Sequence, residues 1–156
     1  MQSLEALLGE ASALRSLPAA HRATMVGCAR LRVFEAGAML LTESGPAEEF
    51  FLIRRGRVAI ETAVPARGAM TLETLGDGEL VGWSWLVPPY RSAFGARAVD
   101  VAHVIAFDGA CLRDKCESDP ALGYDLLKVV ATTFVRRLED TRMRLLDLYA
   151  GVPGGG

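Results

Sequence analysis

Histidine is scarce in this chain. His21 and His103 are the only two among 156 residues, too few and too isolated to frame a metal site. Cysteine is nearly as rare. Cys28, Cys111 and Cys116 form an odd, widely spaced set, which fits a reducing compartment better than a disulfide framework. Without further ligands they read as buried apolar thiols rather than an iron–sulfur or zinc centre. No apolar run approaches the roughly 18 residues that a bilayer span requires. The first residues, MQSLEALLGEASALRS, carry Glu5 and Glu10 and lack the basic start and apolar run of a secretory leader, so a cytoplasmic protein is expected. Positive charge is not in excess either: 17 Lys+Arg stand against 19 Asp+Glu, a net charge of -2, which leaves no overall basic footprint for nucleic acid. Also missing are paired carboxylates around a water, a serine–histidine–acid set and the phosphate loop of nucleotide hydrolases. No enzyme is expected.

What is present is apolar material. Hydrophobic residues make up 51% of the chain and charged residues 23%, enough for a core and typical of one folded domain, expected over 1–150. Three regions differ in periodicity. Residues 1–30 read as short helices: Leu4, Leu7 and Leu8 recur at helical spacing, SLP interrupts, and Ser16 is placed to cap a second helix with Met25, Val26 and Ala29 inward. Residues 31–110 are short β-rich runs punctuated by glycine, RVFEAG, AMLLTESG, EEFFLIRRG, RVAIETAV, MTLETLGDG and AHVIAFDG, the pattern of an all-β sandwich or barrel. Residues 119–149 read as one long helix with Asp119 as N-cap and Pro120 at its first position. GVPGGG, 151–156, reads as a frayed tail.

The long helix carries an apolar stripe of Leu122, Leu126, Val130, Phe134, Leu138, Leu145 and Leu148. At 1.5 Å per residue it extends about 45 Å, more than a small barrel can cover. The surplus stripe points to a homodimer through this helix; the alternative is a helix folded back on its own barrel. Arg136, Arg137, Arg142 and Arg144 alternate with Glu139, Asp140 and Asp147, which reads as a solvated, salt-bridged face.

The order of elements and the positions of the glycines resemble the cyclic nucleotide-binding domain family. The resemblance runs from about residue 12 to 149. It is carried by FEAG at 34–37, ESGPAEEFFLI at 43–53, GRV at 56–58 and LGD at 75–77. It implies a mainly β fold with flanking α: a jelly-roll-like β-roll (double-stranded β-helix) with short N-terminal helices and a long C-terminal helix. It implies no cofactor, a cyclic nucleotide such as cyclic AMP or cyclic GMP as ligand, and a regulatory role.

In that family the stretch GDGELVGWSWLVPPYRSA, 76–93, falls on the phosphate-binding cassette. Gly82 matches the cassette glycine and Arg91, Ser92 and Ala93 resemble its arginine–serine–alanine end. By resemblance, the backbone of Gly82–Ser84 and the charge of Arg91 meet the phosphate. Trp83 stands where the family places the glutamate that takes the ribose hydroxyl. An indole offers one N–H donor and no acceptor, so this departs from the pattern. The ligand-binding candidates are Gly82, Trp83, Ser84, Arg91, Ser92 and Ala93. Each keeps two readings: Arg91 as anion clamp or solvated loop arginine, Trp83 and Trp85 as packing or as a stacking wall for a planar ligand. Glu79 is a candidate displaced acceptor, and Gly76, Gly78 and Gly82 are structural. Ala98 suits the small residue expected after the arginine but lies one step late; a bulge at Gly95 would absorb the difference. Family regulators continue into a DNA-binding domain after the long helix. This sequence ends at Gly156, so the expectation is a sensor without direct DNA contact, signalling to a separate, unidentified protein partner, or a scaffold of the same fold that has lost the nucleotide.

Overall fold

The computed structural model describes residues 2–151. The expected tail lies, beyond Gly151, outside the described residues. The chain begins with α1 (Leu4–Glu10) and α2 (Ala19–Val26). The Ser3 side chain caps α1 by accepting from Ala6 N–H. Ser16 does not cap α2: the cap is Pro18, without a side-chain bond. Leu17 explains the shift. It is drawn into the core at 4% exposure, and a residue before proline avoids helical geometry, so the helix starts only after Pro18.

Eight strands follow: β1 (Ala29–Phe34), β2 (Met39–Leu41), β3 (Glu49–Arg55), β4 (Val58–Val64), β5 (Gly68–Leu75), β6 (Leu80–Val81), β7 (Gly95–Ala98) and β8 (Ala102–Asp108). They form two four-stranded antiparallel sheets, β1-β8-β3-β6 and β2-β7-β4-β5. This is the expected β-roll. Helices α3 (Gly109–Ser118) and α4 (Pro120–Gly151) complete the chain. The β-rich runs read from the sequence include neither β6 nor β7, which only the family resemblance implies, and α3 is not among the expected elements.

β3 shows why EFFLI lacks the alternation of a half-exposed strand. Phe50 and Leu52 face a core beneath the helices, while Phe51 and Ile53 face the core between the sheets. A strand covered on both faces reads as a continuous apolar run. Under the helices, the rings of Phe107, Phe50 and Trp85 stack in sequence, with centroids 4.6 and 4.4 Å apart. Gly56 turns the chain between β3 and β4 at φ +112°, and a Cβ there would lie 2.6 Å from the Val101 carbonyl oxygen; only glycine fits.

Asp119 caps α4 as expected, accepting from Leu122 N–H at 3.4 Å. The apolar residues of α4 divide into two faces. Leu122, Leu126 and Val129 are buried against the body, whereas every residue from Leu138 to Gly151 is exposed.

The cysteines correct the reading of three free thiols. Cys28 and Cys111 are joined as a disulfide across 83 residues of sequence, with Cα atoms 5.7 Å apart. The antiparallel pairing of Ala29 with Phe107 brings them together, and spacing along the chain does not show that pairing. Cys116 is free, and burial pushes its thiol above the usual range.

Three carboxylates clamp the roll and its helices. Glu43 accepts from Ala63 N–H and the Thr62 hydroxyl, each at 2.8 Å. Asp100 accepts from Arg57 N–H at 2.8 Å and from its guanidinium at 3.1 Å. Asp125 meets Lys128 at 3.2 Å and His21 at 2.9 Å. The Ala63 amide, the Arg57 amide and the Lys128 ammonium, respectively, are the largest influences holding these three carboxyls below their ordinary values. A lowered folded-state value means the stabilisation is complete above the unfolded value near 4 and is lost as pH falls through the folded value. The melting temperature is therefore expected to fall as pH drops below about 4. A flat profile between pH 6 and pH 3 would contradict these contacts.

Candidate functional site

The cassette stretch begins where β6 ends. Gly82 has φ +94°, and a Cβ on it would lie 3.1 Å from Leu41 Cδ1 and 3.5 Å from Phe50 Cβ. Glycine is thus required by both conformation and space. One turn follows: Leu86 N–H donates to the Trp83 carbonyl and Val87 N–H to that of Ser84, at 3.1 and 3.4 Å. The N–H groups of Trp83, Ser84 and Trp85 donate to no acceptor among the described residues.

The two tryptophans part company. Trp85 is 2% exposed and ends the Phe107–Phe50 stack. Trp83 points towards α4 and meets Phe134 edge to face at 4.7 Å, with Phe94 at 6.3 Å. Neither indole forms an open stacking wall.

The VPPY loop is anchored from α3. The Arg113 guanidinium lies 4.3 Å above the Tyr90 ring and donates to the Trp85 carbonyl. Residues 90–92 then run antiparallel to 44–47: Ser44 N–H donates to Ser92 O at 2.8 Å, Ser92 N–H to Gly45 O at 2.9 Å and Ala47 N–H to Tyr90 O at 2.8 Å. Alternation along an extended segment turns Arg91 out and Ser92 in. Arg91 is exposed and donates to the Ser44 carbonyl at 3.1 Å. Ser92 is 4% exposed, and its Oγ is buried without a hydrogen-bond partner. The β4–β7 ladder runs unbroken from Val58↔Ala98 to Glu61↔Gly95. There is no bulge at Gly95.

Gly82, Trp83, Ser84, Ser92 and Ala93 line one crevice; Arg91 is not among its walls. The crevice is shut, with ≈ 0 Å³ open to a water-sized occupant. On the α4 side, Gly82 and Trp83 meet Phe134 and Arg137 around a space of ≈ 10 Å³. The larger openings lie elsewhere, including a groove of ≈ 560 Å³ bordered by Arg15, Arg54 and Arg55.

Arginines of α4 are the residues that the sequence reading misplaced. Arg136, Arg137 and Arg144 clip the helix to the roll instead of pairing along a solvated face, while Arg142 is exposed. Arg136 pairs with Glu79 at 3.1 Å. Arg137 donates to the Leu80 carbonyl at 2.5 Å and places Nε 3.8 Å from Glu73; burial lowers its guanidinium from the ordinary value. Arg144 donates to the Leu72 carbonyl. Glu79 also accepts from Gly76 N–H at 2.7 Å, so both of its oxygens already have structural partners. A seven-residue interval between Arg137 and Arg144 is the only trace of this clip in the sequence. Nearby acids offered the simpler pairing.

Comparisons with known proteins agree with this architecture. The family model for the cyclic nucleotide-binding domain matches residues 31–119, more than half of the chain. A crystal structure from Geobacter metallireducens GS-15, assigned as a cyclic nucleotide-binding protein, is similar with TM-score 0.78 and 27% identity over 88% of this chain and 99% of that one. A cyclic nucleotide-binding domain from Methylobacillus flagellatus KT gives TM-score 0.77 at 17% identity, covering 92% and 81% of the two chains. The regulatory domain of Toxoplasma gondii PKA, crystallised with cAMP, gives 0.68 at 17% identity over 83% and 49%. No curated protein matches. The β-roll, its cassette and its long terminal helix, together with the match over residues 31–119, show that the chain belongs to the cyclic nucleotide-binding domain family.

Proposed function

We propose that residues 1–150 form one non-catalytic sensor domain that binds a cyclic nucleotide, cyclic AMP or cyclic GMP, at the Gly82–Ser84 turn. The observation that carries this reading is Ser92 Oγ, buried and unpartnered in the wall of that crevice. An unpaired buried hydroxyl is costly unless something meets it, and the cyclic phosphate is the occupant that the family's cassette holds. The open N–H groups of Trp83 and Ser84 offer further donors. Arg91 faces away from the crevice and donates to the Ser44 carbonyl; it supplies the balancing charge only by turning inward when the ligand enters.

Because the crevice is shut, the ligand enters only when Trp83 moves. Trp83 rests on Phe134, so entry disturbs α4 directly. The ligand thereby favours one helix arrangement over another, and a partner protein reads the difference. Calorimetric titration with cyclic AMP and cyclic GMP tests this, with Arg91→Ala and Ser92→Ala alongside. Micromolar binding weakened about tenfold or more by either change is expected. The shut crevice also favours a second reading, a scaffold that has lost the nucleotide; no heat at millimolar nucleotide would decide for it.

The exposed face of α4 fits a second copy of the chain. Leu127, Ala131, Phe134, Leu138, Thr141, Leu145 and Leu148 follow the alternating four- and three-residue spacing of a coiled-coil seam, and all are exposed. Leu138→Glu is expected to halve the sedimenting mass. An unchanged mass would argue against this dimer.

A further inference from the structure

The Cys28–Cys111 pair lies outside the nucleotide crevice and serves nothing in the account above. Cys28 stands between α2 and β1, and Cys111 in the first turn of α3. The bond therefore fastens α3 to the start of the roll. Helix α3 leads within two residues into α4. The two helices also touch closely: a Cβ on Gly123 of α4 would lie 3.3 Å from Cys116 Cβ of α3. On the opposite side, Asp108 N–H donates to the Cys28 carbonyl at 2.9 Å. A covalent tie at this point holds the base of the helix that carries Phe134 and Arg137.

The tie is reachable. A crevice of ≈ 420 Å³ is lined by Cys28 and Cys111, with Arg30, Glu48, Glu49 and Asp108 at its walls. Three carboxylates against one guanidinium make it a poor host for an anionic thiol and a better one for a small uncharged thiol. Glu49 is paired with both Arg30 and Arg32, at 3.3 and 2.7 Å, which leaves Glu48 and Asp108 as the acidic groups of the rim. A disulfide that solvent thiols can reach exchanges with them, and its state then follows the surrounding redox balance.

We propose that Cys28–Cys111 is a thiol–disulfide exchange site whose state sets how firmly α3 and the base of α4 are held to the roll. A thiolate RS⁻ attacks one sulfur, forms a mixed disulfide and releases the other sulfur as a thiolate. A second RS⁻ attacks the mixed disulfide and leaves as RSSR. Two electrons pass from the reductant to the pair, and two protons complete the Cys28 and Cys111 thiols. An oxidised disulfide of the same class reverses the step.

The test uses the full chain carrying Cys116→Ser, so that only the pair can be labelled, equilibrated in buffers of reduced and oxidised dithiothreitol. Maleimide labelling read by mass is expected to give no label in the oxidised protein and two in the reduced protein. Amide exchange over residues 109–126 is expected to quicken about tenfold on reduction, as local opening becomes easier. Two labels in both states would mean that the bond does not form. No label after reduction would mean that no thiol reaches it. Equal exchange in the two states would mean that it does not restrain the helices. Each of these overturns the proposal.

Discussion

Trp85→Ala is expected to lower the unfolding free energy by about 3–5 kcal/mol, the range for deleting a fully buried large ring. Trp85 is 2% exposed, and it closes the stack in which Phe50 lies 4.4 Å from it and 4.6 Å from Phe107. Removing the indole leaves a cavity between β3 and α3, and the stacked rings cannot collapse into it without leaving their own contacts. The Arg113 guanidinium, which donates to the Trp85 carbonyl, also loses a well-placed partner if the turn shifts. Urea unfolding monitored by far-ultraviolet circular dichroism measures the change. A loss below about 1 kcal/mol, the level of an ordinary surface change, would mean that Trp85 is not in this core. Trp83→Ala provides the contrast. That side chain is only half-buried, so its deletion is expected to cost less stability while opening the crevice.

Arg137→Ala is expected to cost about 2–3 kcal/mol, the range for losing hydrogen bonds made by a charged group. Its side chain is 12% exposed, so little solvent screening reduces the effect. The substitution strips the Leu80 carbonyl of its donor next to the cassette and leaves Glu73 without the guanidinium beside it. Arg136 and Arg144 still hold the roll, so α4 should loosen rather than detach, with faster amide exchange in its second half. The exposed Arg142 is the control, and Arg142→Ala should change stability by no more than about 0.5 kcal/mol. Equal effects of the two substitutions would show that α4 is not clipped through Arg137.

Much of the fold was legible because local chemistry and tertiary structure agree. Of the glycines that carried the resemblance to the family, Gly37 and Gly56 take positive φ, as does Gly82, whereas at the other two corners the positive φ falls on the neighbouring Ser44 and Gly78 instead of Gly45 and Gly76. Asp119–Pro120 marked the start of α4. Three features escaped for physical reasons. Strand β6 is two residues long, too short for any periodicity. Helix α3, GACLRDKCES, has only Gly109 and Leu112 buried, so it shows no apolar stripe. The disulfide depends on a pairing of β1 with β8 that joins distant parts of the chain. Gly82, Trp83, Ser84, Ser92 and Ala93, named from the sequence, line one crevice in the structure. The sequence did not show that strand alternation turns Arg91 outward and Ser92 inward. Nor did it separate Trp83 from Trp85, because two residues of one tight turn differ in fate only through what packs on each side. Phe134 and Arg137 join the site from α4, some fifty residues away, and their spacing alone is equally suited to a solvated helix face.

A nucleotide entering at the Gly82–Ser84 turn, as proposed, lifts Trp83 from Phe134. Trp85→Phe keeps an aromatic ring in the stack and leaves Trp83 as the one tryptophan of the chain, so its fluorescence reports this contact alone. Titrating that variant with cyclic AMP and with cyclic GMP is expected to give a saturable change in emission. Its midpoint should match the calorimetric one, and Ser92→Ala should weaken it. Nucleotide binding by calorimetry with no change in Trp83 emission, or no binding by either method, would contradict the account.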